Sequence, residues 1–360
     1  MSFEDVRNAL LFGFVDGLLS EEEFLILYDE YQSINPAYPY WDYDQFCLDN
    51  LDSSECFTEF RVEKEDIPLL AMSLRVPDQF KCRQGTVCGG LEGLCLLLKR
   101  LAYPCRYSDL IYRFGRPVPE LCMLNNVVLD WVYDTHAHRL TSWNQPFLSP
   151  LCLEQYVQAI RRKGCPLDHC FGFIDGTVRQ ISRPGENQRV VYNGHKRVHS
   201  LKFQSVAIPS GLIANLFGPV EGRRHDAGML ADSNLLQALQ RHANNTVGNP
   251  LCVYGDMAYP LRPQLMCPYR RADYPILTQD MQAFNRAISE LRVSVEWLFG
   301  DVANCFKFID YKKNLKIGMS SIGKQYLVCA LLRNCLTCLY GNSTSQFFDL
   351  EPPTLQNYLV

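Results

Sequence analysis

The chain has 360 residues, of which 47% are apolar and 21% are charged. This composition is typical of a globular protein with room for a main domain and an accessory one, and it excludes an intrinsically disordered chain. The formal net charge of −4 is unevenly spread, because residues 1–80 hold 18 acidic and 4 basic residues, a net of −14, and residues 81–360 carry +10. The asymmetry predicts an acidic N-terminal module beside a basic body.

The cysteines and the apolar segments indicate in which cellular compartment the protein resides. Most of the sixteen cysteines lie in apolar segments, where a free thiol behaves as a small buried side chain. The first 30 residues include the acidic run 21–23, where a secretory leader needs an apolar core. The stretch Tyr326–Tyr340 is interrupted by Arg333 and is shorter than the about 20 residues of a membrane span. We predict a reducing, intracellular location without a secretory or transmembrane segment.

We predict that residues 1–80 form an acidic, partly helical segment. The pattern indicates one amphipathic helix over Asp5–Tyr31, and an acidic, aromatic stretch follows at residues 36–46.

Residues 81–164 predict a helical subdomain that resembles a helix-turn-helix. Helical patterns cover residues 91–105, 107–115 and 118–136, with Ser108 as the expected cap of the second helix and Gly115 as its end. A DNA-reading helix presents base-contacting side chains near its N-terminus. The third helix offers only Asn125, Asn126 and acids there, although Arg106, Arg113 and Arg116 could touch phosphates. We therefore favour a structural or weakly DNA-contacting role over sequence-specific recognition.

Three acidic residues occupy settings that suit a metal site. Asp175 follows the apolar run FGFI and Asp256 follows LCVYG, so each predicts a buried strand whose last residue emerges at a sheet edge. Glu296 lies on a predicted helix, where Asn285, Arg292 and Glu296 fall within about 40° of one another beside an apolar stripe. Burial would raise the pKa of such a carboxylate unless a cation neutralises it. Three carboxylates around one point would suit Mg²⁺ or Mn²⁺.

Four segments in this order resemble the PIF/Harbinger superfamily of transposases and its host-derived nuclease relatives. They are IDGT (174–177), the stretch 192–230, YGDMAYP (254–260), and Asn285 with Arg292 and VEWLFG (295–300). The resemblance covers about residues 85–340. It implies a ribonuclease H-like DDE catalytic domain in which Asp175, Asp256 and Glu296 are the catalytic and metal-binding triad, and it also implies DNA as substrate and a Myb-like DNA-binding partner protein.

A basic segment follows the first predicted strand. It contains Arg179, Arg183, Arg189, Lys196, Arg197 and Lys202, opposed only by Glu186. A solvated hairpin face is one interpretation, and a surface that follows DNA phosphates is the other. We favour the second because the segment directly adjoins Asp175. Arg223 and Arg224 would extend this surface.

Asp226 competes with the triad for a place in the site. It follows His225 and precedes a predicted helix through Met229 to Leu239, so it could cap that helix. The alternative for His225 and Asp226, as for Asn285 and Arg292, is support of the metal ligands or positioning of DNA. We expect Asp175, Asp256 and Glu296 to converge and Asp226 to lie further out.

The sequence therefore predicts an α/β protein with four regions. These are the acidic segment 1–80, the helical subdomain 81–164, the ribonuclease H-like domain 165–310, and a C-terminal helix and tail at 311–360. The predicted function is DNA cleavage, with strand transfer as a second step, by two metal ions about 3.5–4 Å apart. The alternatives are a host-derived, catalytically idle DNA-binding or scaffold protein and a metal-dependent hydrolase of a non-nucleic substrate. We expect synthesis in the cytoplasm and action in the nucleus, and we leave a homo-oligomer open.

Overall fold

The computed structural model of the protein describes residues 3–31 and 39–359. The helices are α1 Phe3–Val15, α2 Glu21–Glu30, α3 Ser53–Phe60, α4 Asp66–Ser73, α5 Gly90–Ala102, α6 Ile111–Phe114, α7 Val118–His136, α8 Pro150–Arg162, α9 Gln188–Val191, α10 Asp226–Asp232, α11 Leu235–His242, α12 Gln279–Cys305, α13 Ile322–Tyr340, α14 Ser343–Phe348 and α15 Leu355–Tyr358. The strands are β1 Gln79–Lys81, β2 Val87–Gly89, β3 Cys170–Gln180, β4 Tyr192–Asn193, β5 Val198–Ala207, β6 Ile213–Glu221, β7 Cys252–Tyr254 and β8 Leu265–Met266. Single 3₁₀ turns connect several of them.

The N-terminal segment forms two helices, not the single predicted helix over Asp5–Tyr31. The chain turns at Gly17, whose φ of 69° favours glycine. Ser20 then starts α2 with a capping box, since its hydroxyl accepts from the Glu23 amide and the Glu23 carboxylate accepts from the Ser20 amide. Both signals were present in the sequence and outweighed the helical periodicity. The predicted aromatic stretch 36–46 begins with three residues, 36–38, that lie outside the described residues.

The predicted helices of residues 91–136 form, with one correction. Ser108 does not cap the second helix, because the chain enters it through a 3₁₀ turn at Tyr107–Leu110. The Asp109 carboxylate accepts from the Arg106 amide there, and the Ser108 hydroxyl donates to Asp109. Gly115 ends α6 in the left-handed region with φ 57°, as predicted.

The main sheet is mixed and is built around β3. β5 pairs antiparallel with β3, from Phe173 opposite Ala207 to Gln180 opposite Ser200. On the other side, β7 runs parallel to β3 and β8 runs parallel to β7. β6 and the short β4 pair with the outer edge of β5, so the order is β6-β5-β3-β7-β8. A separate two-stranded sheet joins β1 and β2.

The helices cover the sheet and share one apolar core with it. α8 and α12 pack on β3, while α13 packs on β6 and on α7. The buried Asn334 of α13 accepts from the Ile213 amide and donates to the Ile213 carbonyl, which fixes α13 to β6. Buried apolar side chains form a single cluster from Leu51 to Leu359, so the helices from α3 onward share one core with the sheet.

Two further features complete the fold. All sixteen cysteines are free, and most are buried. No helix in residues 3–31 and 39–359 is long and apolar enough to cross a membrane.

His136 is a buried group whose titration links the fold to pH. It lies at the end of α7 with 2% of its surface exposed, and its Nε2 donates to the Leu74 carbonyl at 2.8 Å. Burial lowers the pKa of His136 from 6.5 to about 4. A depressed folded-state pKa gives stability that is present above pH 6.5 and is lost as the pH falls toward 4.

We expect acid destabilisation that depends on His136. The wild-type chain should lose unfolding free energy on the order of 3 kcal/mol through this group as the pH falls across that window. His136→Gln keeps a donor for Leu74 and cannot gain a proton, so its loss should be smaller by that amount. Denaturant titrations of both chains at neutral and acidic pH measure the difference, and equal losses in the two chains would contradict the assignment.

Candidate active site

Asp175 lies on the central strand of the sheet, where one neighbour has ended. The parallel pairing of β3 with β7 stops at Phe173 opposite Tyr254. β3 itself continues to Gln180, so Asp175 is not the last strand residue that the sequence predicts. It is nevertheless open on its β7 side, because that strand has already turned away. Asp175 thus lies on the central strand at a level where β7 no longer pairs with it.

The Asp175 carboxylate is largely buried and is bonded on both oxygens. Its side chain is 18% exposed, and Oδ1 accepts from the Gly176 amide at 2.8 Å. Oδ2 accepts from Nη1 of Arg292 on α12 at 2.9 Å. Arg292 therefore forms an ion pair with the first acid, which is one of the two roles predicted for it.

Asp256 lies two residues beyond β7 in a tight turn. Its Oδ1 accepts from the Ala258 amide at 2.9 Å. A Cβ at Gly255 would lie 2.6 Å from the Tyr259 ring and 2.9 Å from the Ile174 side chain, so the turn packs this closely only with glycine. The close packing brings the turn that carries Asp256 against the strand that carries Asp175.

Glu296 lies one helical turn after Arg292 and faces the same cleft. Its Oε1 is 3.9 Å from Arg292 Nη2, and its side chain is 57% exposed. The cleft has a volume of about 570 Å³ and is lined by both Asp175 and Glu296, together with Lys196 and Asp310. An exposed, flexible glutamate at the edge of this cleft can turn toward Asp175.

Two other acids act electrostatically on Asp175. Burial is the largest cause that raises the pKa of Asp175. Arg292 lowers this pKa, whereas the charges of Asp256 and Glu296 raise it further. The positive charge of Arg292 does not fully offset burial and two neighbouring carboxylates, so the site retains an excess of negative charge.

The donor atoms suit a hard divalent cation, but the side chains are not arranged as ligands. Within the described residues, no three His, Cys, Asp or Glu side chains form a group that could hold a metal ion. Asp175, Asp256 and Glu296 do not form a closed set of ligands, and their convergence on one metal stays a prediction. A metal bound by Asp175 would compete with Arg292 for the oxygens of this carboxylate. The chemistry fits, because carboxylate oxygens with excess negative charge are what Mg²⁺ and Mn²⁺ bind.

Asp226 lies at the strand residue that follows Asp175. A Cβ on Gly176 would be 2.6 Å from Asp226 Oδ1, so the Asp226 carboxylate rests on the strand at Gly176. Successive side chains of a strand point to opposite faces of the sheet, so this face is not the one that carries the Asp175 carboxylate. The same oxygen accepts from the Lys202 ammonium at 2.6 Å. Asp226 is not the helix cap, because His225 occupies that position and Asp226 is the first residue of α10. The predicted helix through Leu239 is also broken, since Asn234 has φ 53° between α10 and α11.

Tyr259 is a buried residue of the site that the sequence reasoning missed. It is 1% exposed, and its hydroxyl has no hydrogen-bond partner among the described residues. Burial, followed by the charges of Asp226, Asp175 and Asp256, raises its pKa well above the usual value. The phenol therefore stays protonated beside these acids. The sequence signal was a tyrosine three residues after Asp256.

Asn285 supports the site from a distance. Its side-chain amide exchanges two hydrogen bonds with the Tyr269 backbone, at 2.9 Å and 3.0 Å. The next residue, Arg270, donates to the Met257 carbonyl at 3.1 Å. Asn285 thus holds the segment at Tyr269 and Arg270 against α12. This segment in turn contacts Met257, the residue after Asp256.

Residues 174–334 match the family model of the DDE superfamily endonucleases.

The matched region begins one residue before Asp175 and contains Asp256 and Glu296. It covers β3 from Ile174 through most of α13, and it leaves α1–α8 outside. The match supports a nuclease or transposase of the DDE type. No curated protein and no solved structure matched the chain.

The predicted DNA-contacting residues near the acidic cleft fall into two groups. Arg179 and Lys202 point inward: the Arg179 guanidinium donates to the Phe299 carbonyl and the Tyr326 hydroxyl, and the buried Lys202 bonds Asp226. The remaining predicted residues are at least partly accessible, and they are Arg183, Arg189, Lys196, Arg197, Arg223 and Arg224.

The accessible residues differ in their local partners. Arg183 donates to Gln188, and Arg224 forms an ion pair with Asp232. Lys196 lines the acidic cleft itself. Lys196 and the adjacent Arg197 are therefore the cations best placed to meet a phosphate that enters the cleft.

The arginines of the helical subdomain are largely neutralised. Arg113 pairs with Glu55 and Glu59, and Arg116 pairs with Glu92 and Glu120. Such paired cations contribute little to phosphate binding. Arg106, the third predicted phosphate contact, is exposed. The arrangement agrees with a structural role for this subdomain in preference to DNA recognition.

Proposed function

We propose that the protein is a divalent-metal-dependent DNA endonuclease of the transposase type, with Asp175, Asp256 and Glu296 as its catalytic and metal-binding residues. The observation that carries the proposal is the cleft lined by Asp175 and Glu296, with the turn of Asp256 packed against the strand of Asp175. Burial raises the pKa of Asp175, and the charges of Asp256 and Glu296 raise it further, so a cation at this carboxylate would be stabilised. The match of residues 174–334 to DDE endonucleases supports this assignment.

We further infer a ribonuclease H-like fold for residues 165–310 and a Harbinger-type relationship. The sheet order supports the fold, since three antiparallel strands, β6, β5 and β3, continue into the parallel strands β7 and β8. The segments IDGT, YGDMAYP and VEWLFG support the relationship. The other proposed regions are the acidic segment 1–80, a helix-turn-helix-like subdomain at 81–164 and a C-terminal helix and tail at 311–360.

The chain's own residues would orient and polarise the substrate. Bound Mg²⁺ or Mn²⁺ ions would supply Lewis-acid activation of the attacking oxygen and stabilisation of the leaving oxygen. Asp175 would hold the metal from the rigid central strand, and Asp256 and Glu296 would approach it from the turn and the helix. Arg292, released from Asp175, would remain beside Glu296 as a cation for a DNA phosphate. Tyr259 would support the turn of Asp256 by packing, and the Lys202–Asp226 pair would hold the start of α10 against the sheet.

The substrate class follows from the charge around the cleft. Lys196 and Arg197 lie beside the acids, and the body at residues 81–360 carries a net +10. A hydrolase of a neutral substrate needs no such cations, whereas DNA binding depends on them. We propose DNA as the partner, a Myb-like protein as a second partner, and action in the nucleus after synthesis in the cytoplasm.

A catalytically idle DNA-binding or scaffold protein is the second candidate. The ion pair of Arg292 with Asp175 favours it, because a permanent pair would keep a metal from binding Asp175. Metal binding by the isolated chain distinguishes the two functions.

Replacement of Asp175 tests the metal site. Asp175→Asn keeps the shape of the side chain and removes its charge, so we expect Mg²⁺-dependent nicking of supercoiled DNA to fall by roughly 10²- to 10³-fold. Mn²⁺ should raise the melting temperature of the wild-type chain and not that of the variant. Gel assays and thermal melts measure the two effects.

Asp310→Asn is the matched control, since Asp310 lines the cleft outside the proposed triad. Its nicking rate and its Mn²⁺ response should stay close to wild type. Equal nicking by the wild type and Asp175→Asn would contradict the mechanism. A wild-type chain whose melting temperature ignores Mn²⁺ would favour the idle protein.

The accessible cations should govern DNA affinity through salt. Replacing both Lys196 and Arg197 with Ala should flatten the slope of log K against log salt by roughly 0.9 for each phosphate that the variant no longer neutralises, similarly for all DNA sequences. Lys202→Met is the control, because it breaks a buried ion pair. It should destabilise the fold by about 1–3 kcal/mol and leave the slope unchanged. Fluorescence anisotropy across a salt series measures the slopes, and an unaltered slope in the double variant would exclude a phosphate-binding role for the two cations.

A further inference from the structure

The first two helices form a hairpin that stays outside the core of the protein. α1 and α2 pack mainly on each other, and the ring centroids of Phe14 and Phe24 lie 5.2 Å apart between them. Within residues 6–31 no residue is buried, and the cluster of buried apolar side chains begins only at Leu51. We call residues 3–31 the acidic hairpin.

The acidic hairpin exposes large apolar side chains from both helices. Those that are more than half exposed include Phe12, Val15, Leu18, Leu25 and Ile26. Helices of 13 and 10 residues are marginal in water by themselves, and helices in proteins gain most of their stability by burying an apolar face. An exposed apolar surface of this kind marks an interaction site. The acidic hairpin therefore needs a second surface to cover it.

The charge of the acidic hairpin restricts what that surface can be. Residues 3–31 hold eight acids and one base, a net of −7. A second acidic hairpin would be repelled by this charge, which excludes direct pairing of two hairpins. The complementary surface must be basic and must also expose apolar side chains.

The loop between α12 and α13 has both properties. Residues 311–319, which we call the lysine loop, contain three lysines and no acid. All three lysines are exposed, and none forms an ion pair with a described residue: Lys312, Lys313 and Lys316. The same loop exposes the large apolar side chains of Tyr311, Ile317 and Met319. The lysine loop thus matches the acidic hairpin in charge and in apolar character.

The lysine loop is fixed to the body of the protein. The Ser182 hydroxyl donates to the Lys312 carbonyl at 2.6 Å, and the Ser182 amide donates to the Leu315 carbonyl at 2.9 Å. Leu315 itself is buried in the apolar core. A surface that is already ordered loses little conformational freedom on binding.

The acidic hairpin and the lysine loop are both exposed within one chain, so the chain does not cover its hairpin with its own loop. A second copy of the chain supplies the missing partner for each. We propose that the acidic hairpin of one copy docks on the lysine loop of a second copy, and that the reciprocal contact closes a dimer with twofold symmetry. This dimer goes beyond the cleavage reaction and requires neither DNA nor a metal.

Substitutions in the acidic hairpin test the apolar part of the contact. Val15→Ser with Ile26→Ser, the hairpin variant, should raise the dissociation constant of the dimer by at least roughly 100-fold, because each copy then buries two fewer apolar side chains. Leu151→Ser with Val247→Ser is the matched control. Leu151 and Val247 are 60% and 80% exposed, against 77% for Val15 and 66% for Ile26, and they lie outside both surfaces. Sedimentation equilibrium of the full chains without DNA, in EDTA, measures the constants.

Substitutions in the lysine loop test the charge. Lys313→Glu with Lys316→Glu, the loop variant, should weaken the dimer by roughly tenfold or more at low salt. The wild-type dimer should itself weaken as salt is added, because exposed charges are screened. Both pairs of substitutions change exposed side chains, so the melting temperature of the monomer should stay close to wild type.

A mixture of the two variants separates a contact between copies from a contact within one chain. The hairpin variant keeps an intact lysine loop, and the loop variant keeps an intact acidic hairpin. The mixture should therefore associate through one intact contact, more tightly than either variant does alone. Sedimentation velocity with one variant carrying a fluorescent label measures this association.

Three results would overturn the proposal. A wild-type chain that stays monomeric at every concentration would leave the acidic hairpin to a basic partner of another kind. Equal dimerisation of the hairpin variant and its control, or of the loop variant and the wild type, would exclude these surfaces from the dimer. A mixture that associates no better than the separate variants would exclude the reciprocal contact.

Discussion

The burial of Asp175 on the central strand is the constraint on which the site depends. A carboxylate that is 18% exposed, with two other acids acting on it, is stable in its charged form only beside a cation. Arg292 supplies that cation from α12. The pair therefore connects the middle of the sheet with the long helix across the cleft, and any function of the cleft must either use this ion pair or break it.

A few features of the backbone position Asp175, Asp226 and Asp256. β7 ends two residues before the level of Asp175, which leaves space beside β3 for the turn that carries Asp256. Glycines at 176 and 255 let Asp226 and Tyr259 lie where a Cβ would otherwise be. The result is that acids from the turn after β7 and from α12 act on Asp175, and that Asp226 lies against the next residue of the same strand. Such an arrangement lowers stability and is therefore typical of a functional site.

The sequence predicted the elements of the site better than their contacts. The apolar runs before Asp175 and Asp256 and the periodicity around Glu296 located two strands and a helix, because these signals are local. The close position of Asp226 beside Gly176 and the buried Tyr259 could not be predicted in this way, since both depend on packing between distant segments. The inward direction of Arg179 and Lys202 has the same cause. A run of basic residues along one segment does not reveal which side of a strand each faces.

In the N-terminal half, local capping and turn signals located the ends of the helices better than hydrophobic periodicity did. Periodicity predicted one helix over Asp5–Tyr31, but local signals at Gly17 and Ser20 divide it into α1 and α2. Local signals also carried the correct end of α6 at Gly115. Capping and turn chemistry thus decided the boundaries where a hydrophobic pattern alone was ambiguous.

We propose that Asp175, Asp256 and Glu296 bind a divalent cation that replaces Arg292 at Asp175. A crystal of the protein grown with Mn²⁺ and measured at the manganese absorption edge tests this proposal most directly. We expect anomalous density between the three carboxylates, with Arg292 withdrawn from Asp175. Anomalous density only elsewhere on the surface, with the Arg292–Asp175 pair intact, would contradict it.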